Sequence, residues 1–289
     1  MGGGGILKDE GMRMPFELLL TAVVGRLRRR PVALLAVGVG PIYTRLGRAA
    51  IKAVAQLATY RSVRDQDSAD ELARIGVDKV VVAADPVFCM VEGSAARTVA
   101  ASGGEAPAFG QTAVVSVRPW FGREPPARWE RFSADVAASL APLEKAGLRA
   151  IFVALYWPRD RDAAGDVKRH LTVGADLPTA PSTLDTLLAE LGMARLAVVM
   201  RYHALVLAAA VGCPVVAIAY EPKVAALAAT LGIPSVAAED PDLRERLRGL
   251  VEGATTTPTP PLTSVERLRG LAHGALIRAL SGQSEGLAG

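Results

Sequence analysis

The feature that most constrains this chain is a series of short, unbroken apolar runs separated by stretches of helical spacing. VALLAV (32–37), KVVVA (79–83), AVVSV (113–117), RAIFVAL (149–155), LAVVM (196–200) and VVAIA (215–219) all have this form. A strand with one wet face alternates apolar and polar residues, whereas a strand buried on both faces need not. Continuous runs alternating with helices therefore predict an α/β protein whose parallel sheets are covered by helices on both sides.

The pattern runs twice. Between the two blocks, GSAARTVAASGGEAPAFGQ (93–111) consists mostly of small residues and reads as a linker. This predicts an N-terminal Rossmann-like domain over 1–110, a C-terminal one over 111–252, and a loop with a final helix over 253–289. Within them, helices are expected over 46–60 and 128–146, and from 264 to 280. A capping box at Ser68 and Glu71 is expected to open a further helix that Gly76 stops. The glycine run Gly2–Gly5 has no apolar strand before it. The N-terminal domain is therefore expected to lack its first strand and helix.

Composition agrees with this class. Hydrophobic residues make up 51% of the 289 and aromatics only 5%, so the cores must be built from Ala, Val and Leu. The net charge of +4 suits anionic ligands or an anionic membrane surface, and is too small to point to nucleic acid. Cys89 and Cys213 lie in apolar company without a CxxC motif, which predicts two buried thiols in a reducing cytoplasm. Neither a signal peptide nor a spanning run is expected. No ligand spacing for a metal occurs, and neither metal nor cofactor is expected.

Parallel sheets bind ligands beyond the carboxyl ends of their strands. Arg118 follows AVVSV. Arg201, Tyr202 and His203 follow LAVVM. Tyr220, Glu221 and Lys223 follow VVAIA, and Asp85 follows KVVVA. The segment 204–211 is apolar on every side, so it predicts a buried helix whose positive end lies near Arg201. Arginine at a helix N-terminus favours phosphate or carboxylate, and His203 adds a group that exchanges protons near neutral pH. The competing account pairs Arg201 with a buried carboxylate and has His203 cap the helix. Arg118 and Lys223 favour the anion site, although a surface ion pair and a solvated first-turn lysine would also explain them. Tyr220 reads as core, and His170 and His273 as surface residues. Arg64 and Asp65 read as an ion pair at a helix start, and Asp85 as a turn residue. GRLRRRP (25–31) either touches anionic lipid or complements a helix dipole.

GGGGILKDEG, AVGVGP, SVRDQDS, ADPVF, SVRPW and MRYHALVLAAAVGCPVVAIAYEPKV occur in this order. Together they resemble the polysaccharide pyruvyl transferase family, and within it the CsaB-like enzymes of cell-wall polymers. The resemblance extends to about residue 231. It implies a GT-B-like fold with two Rossmann-like domains and a cleft between them. It also implies transfer of pyruvate from phosphoenolpyruvate to a sugar, forming a cyclic ketal and releasing phosphate. The implied acceptor is N-acetylmannosamine on a lipid-linked or polymeric precursor, at the inner face of the membrane. Arg118, Arg201 and His203 match the catalytic positions. Lys223, Glu221, Tyr202, Gly3, Gly4, Gly5 and Arg64 are the candidate substrate-binding residues. Tyr202 stands where relatives usually have Leu, and Glu221 where they have Asp. The same fold would also serve a nucleotide-sugar glycosyltransferase or epimerase, or a non-catalytic fragment that keeps the anion pocket.

Overall fold

The computed structural model describes residues 1, 6–9, 13–91, 110–120, 126–256 and 262–281. The chain divides into two compact units, Met1–Met90 with Glu266–Gly289, and Val91–Val265. Among the described residues, no helix is long and apolar enough to cross a membrane.

The first unit runs α1 (Arg13–Leu27), β1 (Ala33–Val37), α2 (Arg45–Leu57), β2 (Tyr60–Val63), α3 (Gln66–Arg74), β3 (Val81–Val82) and α4 (Val87–Met90). Its three strands pair in parallel in the order β1-β2-β3. Two early residues bond to this region: Leu35 N–H donates to the Met1 carbonyl at 2.9 Å, and Leu7 forms a parallel bridge with Val39, just past β1. Leu34, Ile51, Val54 and Leu72 centre the core.

Three local expectations need correction. The α3 helix starts before the supposed capping box, because the Asp65 carboxylate accepts the Ser68 N–H at 2.8 Å and is itself the N-cap. Ser68 is buried in the first turn, where its hydroxyl accepts from Val39 N–H at 3.0 Å. KVVVA yields only the two-residue β3, since Lys79 has φ 57° and breaks the extended run. The helix expected over 46–60 ends at Leu57, and Tyr60 opens β2 instead.

Asp9 fixes the start of α2. Its carboxylate accepts from Tyr43 N–H, Thr44 N–H and the Thr44 hydroxyl, each at 2.7 Å. A Cβ on Gly47 would stand 2.3 Å from Asp9 Oδ2, so the close approach requires glycine there. Burial pushes the Asp9 carboxyl up, but the hydrogen bonds from Tyr43 and Thr44 outweigh it and hold the group below its ordinary value of 3.8. A depressed carboxylate stabilises the fold fully above 3.8 and loses that contribution as pH falls through the lower folded value. Asp9→Asn is therefore expected to flatten the acid side of the melting-temperature profile. A variant as acid-sensitive as the wild type would contradict this role.

The second unit runs β4 (Thr112–Ser116), α5 (Pro126–Ser139), α6 (Ala141–Lys145), β5 (Arg149–Phe152), α7 (Arg159–Lys168), β6 (Ala175–Asp176), α8 (Leu184–Met193), β7 (Leu196–Val199), α9 (Tyr202–Ala210), β8 (Val215–Ala219), α10 (Pro222–Leu231), β9 (Ser235–Ala237) and α11 (Leu243–Thr256). All six strands are parallel, in the order β6-β5-β4-β7-β8-β9. The chain builds outward from β4 to β6, then returns to the other side of β4 with β7. The β4–β7 pair is thus the switch point of a Rossmann-type sheet. α5 touches α7 and α11, while α9 touches α8 and α10; these two groups cover the sheet. The single helix expected over 128–146 is two, α5 and α6, separated at Leu140. Pro142 supplies the reason, since it has no N–H to continue the ladder.

Every residue of β7 is buried, and so is α9 from Ala204 to Ala210. Cys213 follows this helix and is buried, whereas Cys89, in the first unit, is half-buried. Burial pushes the Cys213 thiol up to about 12. In the native protein at neutral pH, Cys213 is therefore expected to resist thiol reagents, and to label only with unfolding. Rapid labelling at Cys213, read by peptide mass, would contradict its burial.

The final helix, α12 (Leu262–Ser281), counts with the first unit from Glu266 onward. There Ala275 packs against Ala36 and Ala83. The expected linker over 93–111 lies almost wholly outside the described residues.

Candidate functional site

The sheet of the second unit explains why two arginines become neighbours in structure. Ser116 at the end of β4 pairs in register with Val199 at the end of β7. Arg118 and Arg201 each lie two residues further on, so both stand beyond the carboxyl ends of the strands that form the switch point.

Arg201 is the N-cap of α9, and the first helical bond runs from Leu205 N–H to the Arg201 carbonyl. The positive end of the helix dipole therefore lies at Arg201 and the turn after it. The Arg201 side chain pairs with Asp160, at the start of α7. Its Nε donates to Asp160 Oδ2 at 3.0 Å, and its Nη2 donates to Oδ1. Asp160 is 0% exposed. It also accepts from the backbone N–H groups of Leu155 and Tyr156, at 3.1 and 2.9 Å. The Tyr156 ring lies 5.7 Å from the Arg201 guanidinium carbon. One edge of Arg201 is thus held by a buried carboxylate, which leaves Nη1 as the nitrogen outside that bidentate grip.

Arg118 Nη1 donates to the Tyr220 hydroxyl at 2.8 Å, with the guanidinium carbon 4.4 Å from the Tyr220 ring centroid. The same nitrogen lies 3.7 Å from Glu221 Oε1, and the other oxygen of Glu221 pairs with Lys223. Glu221 is the N-cap of α10 without a side-chain cap bond, which leaves its carboxylate to the two cations. Among the described residues, Arg118 and Lys223 share the Glu221 carboxylate, and Arg201 pairs with Asp160. Tyr220 is buried. Burial and the Glu221 carboxylate push its hydroxyl above the ordinary tyrosine value, while Arg118 and Arg201 offset part of that. A hydroxyl that accepts from Arg118 and keeps its proton can donate that proton to a ligand oxygen. Tyr220, Glu221, Trp120 and Glu239 line a cavity of about 210 Å³.

His203 is exposed in the first turn of α9 and meets the buried Tyr202 edge to face, with ring centroids 5.6 Å apart. The α9 cap is Arg201, not His203.

The structure brings Arg118, Glu221 and Lys223 into one ion-paired group, and holds Arg201 through Asp160. The competing account of Arg201, a buried carboxylate partner, is realised, and it coexists with a position at the switch point. Arg64 belongs to the first unit. It is nearly buried, with Nε 3.0 Å from Asp65 and Nη1 3.9 Å from Asp85, as the ion-pair reading expected. Asp85 also closes a turn, accepting from Val87 N–H at 3.1 Å. His170 and His273 are exposed, and His170 pairs with Glu130 at 2.8 Å. Gly3, Gly4 and Gly5 lie outside the described residues. Sequence reasoning missed Asp160, which sits in the run RDRD and reads as solvated helix surface. The available signal was indirect: a half-buried arginine requires a carboxylate nearby.

The fold has solved counterparts at low identity. UDP-GlcNAc 2-epimerase from Neisseria meningitidis matches with a TM-score of 0.60 at 11% identity, over 91% of this chain and 72% of that one. Anabaena Alr3699/HepE matches with a TM-score of 0.58 at 15% identity, over 93% and 76%. UDP-GlcNAc 2-epimerase from Methanocaldococcus jannaschii matches with 0.56 at 13%, over 91% and 74%. These likenesses identify a GT-B-type fold with two Rossmann-like domains. No curated protein matches the sequence. The family model for polysaccharide pyruvyl transferase, by contrast, matches residues 1–222. That span takes in the β4 and β7 ends with Arg118, Arg201 and His203, and the chain belongs to the polysaccharide pyruvyl transferase family.

Proposed function

We propose that this chain transfers pyruvate from phosphoenolpyruvate to two hydroxyls of an N-acetylmannosaminyl unit in a lipid-linked cell-wall polysaccharide precursor, in the cytoplasm. The observation that carries the reading is the register-matched pair Arg118 and Arg201 at the switch point, with His203 in the adjoining helical turn. Phosphoenolpyruvate presents a phosphate and a carboxylate close together. In this reading Arg118, Lys223 and the positive end of α9 hold these groups, and Arg201 contributes the nitrogen that Asp160 leaves outside its grip. Glu221 must then release part of its hold on Arg118 and Lys223 when the substrate's own negative charge arrives. Tyr220 donates to a substrate oxygen.

The chemistry balances without a redox partner. A proton adds to the vinyl methylene, which becomes a methyl group, and the adjoining carbon becomes electrophilic. One sugar hydroxyl bonds to that carbon and loses its proton. The C–O bond to phosphate breaks, and the second hydroxyl closes the ketal and loses its proton. One of the two hydroxyl protons replaces the one used on the methylene, and the other leaves with phosphate. His203 is the acid/base that carries the proton to the methylene.

A binding experiment separates this from a nucleotide-sugar enzyme of the same fold. Phosphoenolpyruvate is expected to raise the melting temperature of the wild type, and to do so far less for Arg118→Ala. Protection by UDP-GlcNAc with none by phosphoenolpyruvate would contradict the proposal.

A further inference from the structure

Helix α1 carries two apolar stripes, and only one of them is used. Pro15 and Ala22 are buried and Leu18 and Leu19 half-buried, and this side packs into the core of the first unit. Phe16, Leu20, Val23, Val24 and Leu27 recur at helical spacing on another side, and all are exposed, Leu20 by 64% and Leu27 by 78%. Isolated surface leucines need no explanation, but a continuous stripe over three turns does.

The stripe ends in a basic cluster. Arg26, Arg28, Arg29 and Arg30 are all exposed. Arg29 N–H donates to the Arg26 carbonyl at 3.0 Å and Arg30 N–H to the Gly25 carbonyl at 2.9 Å, the bond pair of a Schellman ending. The left-handed position of that motif usually belongs to glycine, yet here Arg29 occupies it with φ 52°. Complementing the helix dipole would account for cations in the last turn, but not for the apolar stripe beside them. From residue 13 to 30 the segment has five arginines and one acidic residue, Glu17, whose carboxylate is 2.7 Å from Arg13. The helix therefore offers no acidic patch to receive the arginines of a second copy.

We infer that α1 is a membrane-docking helix that lies in the plane of an anionic lipid surface, with its outer stripe among the acyl chains and its arginine cluster at the phosphates. A 15-residue helix is too short to span a bilayer. This inference is independent of the reaction proposed above.

Sedimentation of the full chain with vesicles tests it. Binding is expected to phosphatidylcholine vesicles containing phosphatidylglycerol, not to phosphatidylcholine alone, and to weaken with salt. Leu20→Ser with Leu27→Ser is expected to lower partitioning at least about tenfold. Arg28→Gln with Arg30→Gln is expected to lower it roughly 25-fold, about fivefold per charge. All four positions are exposed, so the melting temperature serves as a folding control, and either pair suffices if the other fails to fold. Failure of the wild type to bind the mixed vesicles, equal binding to neutral ones, or unaltered binding by the folded variants would overturn the inference. So would a wild-type dimer that the leucine variant disperses and that ignores vesicles.

Discussion

Asp160→Ala is expected to destabilise the protein by about 3–5 kcal/mol and to remove most of its activity. The carboxylate is fully buried and accepts from both arms of Arg201 and from two backbone amides. Its removal strands a largely buried guanidinium and two N–H donors at once, and among the described residues no other carboxylate pairs with Arg201. Asp160→Asn keeps the volume and one acceptor but not the charge, so it should cost less stability. It should still raise KM for phosphoenolpyruvate, because Arg201 is no longer held in one orientation. Denaturant melts and steady-state kinetics on both variants separate these effects. Wild-type KM in a folded Asp160→Asn would show that the pair serves the fold alone.

His203→Ala has the opposite signature. The residue is exposed, so stability should fall far less than in Asp160→Ala. If His203 carries the proton to the methylene, kcat should fall about 10²- to 10⁴-fold. Phosphoenolpyruvate should still protect the variant against heat, because the cationic anchors remain. A folded variant with wild-type kcat would remove His203 from the chemistry.

The four inner strands of the second unit were legible because a strand buried on both faces needs no polar residues, whereas the short edge strands β6 and β9 were missed. LAVVM and VVAIA therefore stand out without any alignment, and with them the positions of Arg201 and Glu221. Two helix boundaries were missed for local reasons present in the sequence, the missing N–H of Pro142 and the better N-cap at Asp65. KVVVA misled because apolar composition does not reveal a backbone turn at Lys79. Asp160 is a different case. Its neighbours Arg159, Arg161 and Asp162 make it look solvated, whereas in the fold it is buried and held by Arg201 and the Leu155 and Tyr156 amides. Arg118, Arg201, Glu221 and Lys223 were all found by their places just after strands, whereas Asp160 lies in the helix that follows β5. The partner of Arg201 is thus a tertiary property that a strand-end survey does not see.

The most direct test of the proposed reaction follows the central carbon of phosphoenolpyruvate. The full chain is incubated with phosphoenolpyruvate labelled at that carbon and an N-acetylmannosaminyl lipid acceptor, and carbon NMR is recorded with time. The label is expected to move from the vinyl to the ketal region, with one phosphate released per ketal, and to stay in place with His203→Ala. Unchanged label with the wild type, under conditions where phosphoenolpyruvate and the acceptor both bind, would contradict pyruvyl transfer by this chain.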